Sequence, residues 1–154
     1  MEILMKSGST AAKPFLIAES DDGWDVGQIV QGSLNDGWFL NALALLSNKP
    51  DELCKLFLSG EFSGRGMYVV QFYKDGLWQK VTVDDRIPCD KDTFIPIFSR
   101  NKRPEEIWVM ILEKAYAKLH GCYEVSPLYT ISYTLIHSHT ITLLYNYCTP
   151  YSKL

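Results

Sequence analysis

The sequence predicts an α+β domain in which helices pack beside a small antiparallel sheet, and three stretches carry that reading. Trp38 to Ser47 is an apolar run rich in alanine and leucine, residues 67–83 alternate on a period of two around Lys74-Asp75-Gly76, and residues 108–119 return to helical spacing. At 154 residues the chain is one domain by length, large enough to bury about two-thirds of its unfolded surface. With 47% hydrophobic, 13% aromatic and 21% charged residues it has the material of a packed interior.

Trp38 to Ser47 is expected to form a largely buried helix, with Asp36 as its N-cap. Pro50 and Asp51 open a shorter helix that places Leu53, Leu56 and Phe57 on one face. Two strands follow. In the first, Tyr68, Val70 and Phe72 alternate with Met67, Val69 and Gln71; in the second, Leu77, Val81 and Val83 share a face. Lys74-Asp75-Gly76 supplies a glycine for positive φ, so the pair is predicted to be a hairpin. Pro104, Glu105 and Glu106 suit the first turn of a last helix, and Lys118, His120 and Gly121 suit its end. Trp108, Ile111, Leu112, Ala115 and Leu119 make its apolar stripe.

A formal net charge of −3 provides no basic face and argues against a nucleic-acid partner. Met1 to Lys13 is interrupted by Glu2, Lys6 and Lys13 and lacks the continuous apolar region of a secretory signal. The four cysteines, Cys54, Cys89, Cys122 and Cys148, contain no Cys-x-x-Cys pair, so reduced thiols in a cytoplasmic protein are expected, two or three of them buried, and no zinc site. The segment after Val125 holds one charged side chain, Lys153, among many Ser, Thr and Tyr residues. The hydroxyls between Ile131 and Tyr147 argue against a membrane span, which needs about 20 mainly apolar residues.

The most informative stretch is Gln31-Gly32-Ser33-Leu34-Asn35-Asp36-Gly37-Trp38-Phe39-Leu40. It is followed, in order, by Gly66-Met67-Tyr68-Val69-Val70-Gln71-Phe72-Tyr73, Gly76-Leu77-Trp78, Val81-Thr82-Val83-Asp84-Asp85-Arg86-Ile87-Pro88, and Leu112-Glu113-Lys114-Ala115-Tyr116-Ala117-Lys118-Leu119-His120-Gly121-Cys122-Tyr123-Glu124. Together these resemble the protease core of the calpain family of cysteine proteases. In that family the first motif reads Gln-Gly-x-x-Gly-Asp-Cys-Trp, and here Gly37 stands in the cysteine's place. The resemblance implies a papain-like first subdomain over residues 21–124, preceded by an extension over 1–20 and followed by a divergent tail over 125–154.

The family motif has a chemical reason. A thiol attacks only as thiolate, and a helix N-terminus lowers its pKa through the backbone dipole. An amide donor with a main-chain N–H then holds the developing oxyanion, a role the resemblance gives to Gln31. The donor is present and the attacking atom is absent, so the expectation is an inactive domain. In papain-type sequences the catalytic histidine and asparagine follow the cysteine by roughly 130–150 residues, whereas 117 residues follow Gly37. His120 is expected to end a helix, and His137 and His139 to be ordinary residues of the tail.

The resemblance also implies calcium, with Glu106 as a carboxylate ligand and Gly23 as a carbonyl ligand. Gln28 stands where the family carries an aspartate, which predicts weak binding because affinity follows ligand charge. Asp21, Asp22 and Asp25 are alternative oxygen donors or a solvated acidic loop. Asp84-Asp85 is expected to be structural, one carboxylate exposed and the other capping a turn, with Arg86 as ion partner. Three functional readings follow: a calcium-dependent endopeptidase by family that is itself inactive, a non-catalytic module binding extended polypeptide or a partner protein, or a fragment without function.

Overall fold

The computed structural model describes residues 16–20, 23–25, 28–59 and 66–123. The described residues form three helices and three two-stranded antiparallel pairs, an α+β arrangement as expected. Strand β1 (Ala18–Ser20) pairs with β2 (Gly23–Asp25), and β3 (Ile29–Val30) pairs with β6 (Arg100–Asn101). The main pair is β4 (Met67–Lys74) with β5 (Leu77–Asp84). The tail from Glu124, including His137 and His139, lies outside the described residues, as do Asp21 and Asp22.

The β4–β5 hairpin follows its sequence pattern. Tyr68, Val70, Phe72, Val81 and Val83 all turn inward and are buried. Asp75 and Gly76 both take positive φ, 53° and 81°, the conformation whose twist matches that of paired strands. Leu77 shares the inward parity of Val81 and Val83 yet is 69% exposed, because it sits at the hairpin tip. The outer edge of β4 is covered by the chain that leaves the second helix, where Leu58 N–H donates to Val69 O and Gln71 N–H donates to Leu56 O.

Helix α1 runs Gly37–Ser47 and α2 runs Pro50–Cys54. Leu53 is fully buried, while Leu56 and Phe57 lie beyond the end of α2 and pack against the core half-buried. Helix α3 runs Trp108–His120. It is buried nearly all round: Trp108, Ile111, Leu112 and Ala115 have no exposed surface, and Val109, Met110, Tyr116 and Ala117 join them. A helix apolar on every face belongs inside a domain, and α3 packs on β5, β4 and β6 at once. Its aromatic link to α1 is a cluster of Trp38, Phe39, Phe72 and Tyr116 with ring centroids 4.7–5.8 Å apart. Each such ring contributes on the order of 2–3 kcal/mol when fully buried.

Two local expectations fail. Helix α3 begins at Trp108, so Glu105 and Glu106 precede it, and Glu106 is fully buried instead of lying in an exposed first turn. Asn101 is the reason: its side-chain amide donates to Glu106 Oε2 at 3.2 Å and its oxygen accepts from Val109 N–H at 3.4 Å, tying the segment before the helix to β6. The ion partner of Asp84 is Lys114 of α3, at 2.6 Å, and Arg86 supplies a backbone N–H to the same carboxylate at 2.8 Å. Partial burial works to raise the Asp84 pKa, but the Lys114 and Arg86 contacts together outweigh it, and the carboxyl ends below its ordinary value. Both Asp84 and Asp85 are exposed.

Helix α3 ends as its sequence suggests. His120 Nδ1 lies 3.0 Å from Tyr116 O, and Gly121 takes φ 105° at the C-cap. Burial lowers the His120 pKa and favours the neutral ring. Of Cys54, Cys89 and Cys122 only Cys89 is buried.

Candidate functional site

The turn from Gln31 to Asp36 is set by a close approach. A Cβ on Gly32 would lie 2.2 Å from the backbone carbon and oxygen of Phe98, so only glycine lets these two strands of chain touch. Next to it Ser33 N–H donates to Ile97 O at 3.0 Å. Gln31 Nε2 donates to Leu34 O at 2.9 Å, which folds the exposed glutamine side chain across the turn.

That fold brings the Gln31 amide to the start of α1. Gly37 is the first residue of the helix, and a Cβ built on it would lie 3.7 Å from Gln31 Oε1 and 3.8 Å from Nε2, ordinary contact distances. Residue 37 therefore faces an amide side chain at a helix N-terminus, where first-turn N–H groups lack acceptors within the helix. The position has room for a side chain and carries none. Cys89, the buried thiol, donates to Ile87 O at 3.4 Å, and burial raises its pKa, which disfavours the thiolate.

Asp36 occupies the N-cap position without capping by its side chain. Its backbone oxygen accepts Phe39 N–H at 2.8 Å and Leu40 N–H at 3.1 Å. Both carboxylate oxygens are buried, and no N–H group reaches them. Glu113 of α3 is also buried, at 5% exposed. The two Glu113 oxygens accept the Ser99 N–H at 3.1 and 3.2 Å. Burial raises the Glu113 pKa to about 8, and Asp36 adds to the rise while Ser99 opposes it. Glu113, Ser99 and Asn101 were not singled out as site residues in the sequence. The visible clue for Glu113 was a carboxylate inside the otherwise apolar run from Trp108 to Leu112 and Ala115 to Ala117.

Glu106 and Gln28 both converge on the Asn101-Lys102 segment. Lys102 N–H donates to Gln28 O at 2.7 Å, and Lys102 Nζ lies 3.2 Å from Gln28 Oε1. Gly23 begins β2, opposite Ser20. Calcium requires six to eight oxygens, several of them charged. Here the Gln28 amide oxygen faces an ammonium and one Glu106 oxygen accepts a hydrogen bond, so these groups do not fit a calcium cage as they stand. Among the described residues no group of three or more His, Cys, Asp or Glu side chains is placed to hold a metal ion. No described helix is long and apolar enough to cross a membrane.

Residues 6–138 match the family described as calpain family cysteine protease. Over 121 residues the chain is 40% identical to the calpain-type cysteine protease DEK1 of Zea mays, covering 79% of this chain and 5% of that protein. It is 39% identical to calpain-10 of Mus musculus over 109 residues, 68% of this chain and 16% of the relative, and 38% identical to human calpain-12 over 124 residues, 79% and 17%. The chain thus spans only a small part of the length of the relatives it matches. With a glutamine amide beside a helix-start residue and a family match across most of its length, this chain belongs to the calpain family of cysteine proteases.

Proposed function

We propose that this domain is a calpain-type protease core subdomain that does not cleave and keeps its groove wall for binding extended polypeptide or a partner protein. The observation that supports this is Gly37: the residue beside the Gln31 amide at the start of α1 has no side chain and so no attacking atom. Gln31 is the oxyanion donor of this reading, paired with first-turn N–H groups of α1. Removing the nucleophile of such a unit leaves at most ~10³–10⁴-fold rate enhancement over water.

The test is hydrolysis of casein and of short fluorogenic peptides by the purified chain, with and without millimolar calcium. No thiol-dependent turnover is expected. Calcium-stimulated cleavage that survives purification and stops on alkylation would sink the proposal.

Calcium is not what orders the Gln28 region in this reading. Calorimetry with calcium chloride should find no binding tighter than about 10⁻⁴–10⁻³ M, the range of poorly charged sites. Gln28→Asp should strengthen whatever binding exists, and Glu106→Gln should weaken it. Micromolar binding indifferent to both substitutions would place the ion elsewhere.

A further inference from the structure

The pairing of β3 with β6 continues beyond the two strands. Ile29 lies opposite Asn101 and Val30 opposite Arg100. Two residues on, Gly32 passes so close to the Phe98 backbone that a Cβ would meet it at 2.2 Å, and Ser33 N–H donates to Ile97 O at 3.0 Å. These contacts keep one antiparallel register, and that register sets Gln31 opposite Ser99. The Ser99 N–H goes to α3 and not to the chain facing it: both Glu113 oxygens accept it, at 3.1 and 3.2 Å. Ser99 is 1% exposed, so water offers this N–H no substitute partner.

We propose that Glu113 is a positioning residue for the Gln31 amide, acting through the strap Ile97–Ser99. Glu113 holds Ser99 from the middle of α3, and the strap in turn holds the chain on both sides of Gln31. Before it stands Val30, opposite Arg100; after it come Gly32 and Ser33, against Phe98 and Ile97. With its backbone gripped on either side, the Gln31 side chain folds to Leu34 O at 2.9 Å and ends beside residue 37. The inference rests on the proposed reading of Gln31 as an oxyanion donor only for what the amide does. Its placement is read directly below, so the inference can fail while the domain stays inactive, and cleavage by the chain would leave it standing.

The same bond accounts for a carboxyl group in a helix whose other buried residues are apolar. Trp108 to Leu112 and Ala115 to Ala117 are buried with it, and Glu113 is the one acid among them. A leucine would suit such surroundings, but it would leave the Ser99 N–H buried without an acceptor, which costs more than the hydrogen bond itself contributes. A glutamine keeps one oxygen for that N–H. The requirement at position 113 is therefore for an acceptor aimed at the strap, and the two replacements separate it from simple filling of space.

The experiment uses Gly37→Cys in the full chain as a reporter, because a thiol there lies against the Gln31 amide and the start of α1, both of which favour thiolate. The rate of iodoacetamide modification is followed against pH with Glu113→Gln or Glu113→Leu added. Neither replacement titrates and both remove the carboxyl group, so the comparison between them is free of its charge. The leucine variant should have its alkylation midpoint about half a pH unit above that of the glutamine variant, about threefold in the proton affinity of the thiol. With Gln31→Ala also present the two midpoints should coincide at the raised value, because the positioned group is gone. Equal midpoints while Gln31 is in place overturn the proposal, and so does a difference that survives Gln31→Ala, which would make Glu113 a general support of the fold. Should Glu113→Leu fail to fold, amide hydrogen exchange of the wild-type chain decides: Ser33 and Ser99 should open together, with equal protection and equal urea dependence, and independent exchange of the two overturns the strap.

Discussion

Gly32 and Gly37 sit five positions apart on one turn and answer to opposite physics. At Gly32 an added Cβ would meet the Phe98 backbone at 2.2 Å, and backbone cannot swing aside as a side-chain tip can. Gly32→Ala should therefore cost more than about 2 kcal/mol, at the upper end of what overpacking does, and urea unfolding of the variant measures it. At Gly37 the same methyl finds its nearest neighbours at 3.7 and 3.8 Å and replaces a flexible residue at a helix start. Gly37→Ala should be neutral or stabilise by about 0.5 kcal/mol. Gly37→Cys should fold equally well and give a thiol that iodoacetamide modifies, since the space is open. Failure of that variant to fold would mean the turn cannot hold any side chain.

Among the elements, α3 does most to organise the fold, and its lysines add polar ties to its apolar packing. Lys114 Nζ lies 2.6 Å from both Asp84 Oδ1 and Arg86 O, and Lys118 Nζ donates to Thr82 O at 2.7 Å, so the two side chains grip the end of β5. Lys114→Met keeps the aliphatic length and removes the grip. A loss of about 1 kcal/mol or less is expected, because the Asp84 side chain is 56% exposed and its pair is screened by solvent. Asp84 has a lowered pKa, so this contribution is present above the ordinary carboxyl range and fades as pH falls through the folded value. Thermal unfolding of wild type and Lys114→Met should accordingly converge at acidic pH.

The helices and the hairpin were legible in the sequence because each is specified by near neighbours: the apolar run after Asp36, the alternation around Asp75-Gly76, and the stripe from Trp108. What escaped were the side chains whose partners lie far along the chain. Asp36 has the composition of an N-cap, yet its buried carboxylate makes no capping hydrogen bond to the helix it precedes. Glu106 has the composition of a first-turn acid, yet Asn101 holds it in the interior. Gln31 is legible from its place in the motif, whereas its fold across the turn to Leu34 depends on local backbone geometry that the motif does not state.

For the molecule as a whole, stability should depend on pH in an uncommon direction. Many folded proteins gain stability as their carboxylates ionise. Glu113 does the opposite: its folded pKa is raised to about 8 from 4.5, so the unfolded chain releases the proton first. Its favourable contribution is complete below the ordinary carboxyl range and is lost progressively as pH climbs toward about 8. Urea midpoints should fall over that interval in wild type and stay nearly level in Glu113→Gln. A flat wild-type profile would show that Glu113 ionises normally on folding.

The open space at residue 37 bears on descent as well as on chemistry. In a family whose members carry cysteine there, this chain has kept the surroundings of the missing side chain: the amide at contact distance, the helix start behind it, and no bulky residue moved in. A vacancy of this kind raises no steric barrier to reversal, whereas a filled one would demand repacking on the way back. Placing a sulfur at residue 37 needs one substitution and no second adjustment at this turn, so the absence of a thiol here is a reversible feature of the site.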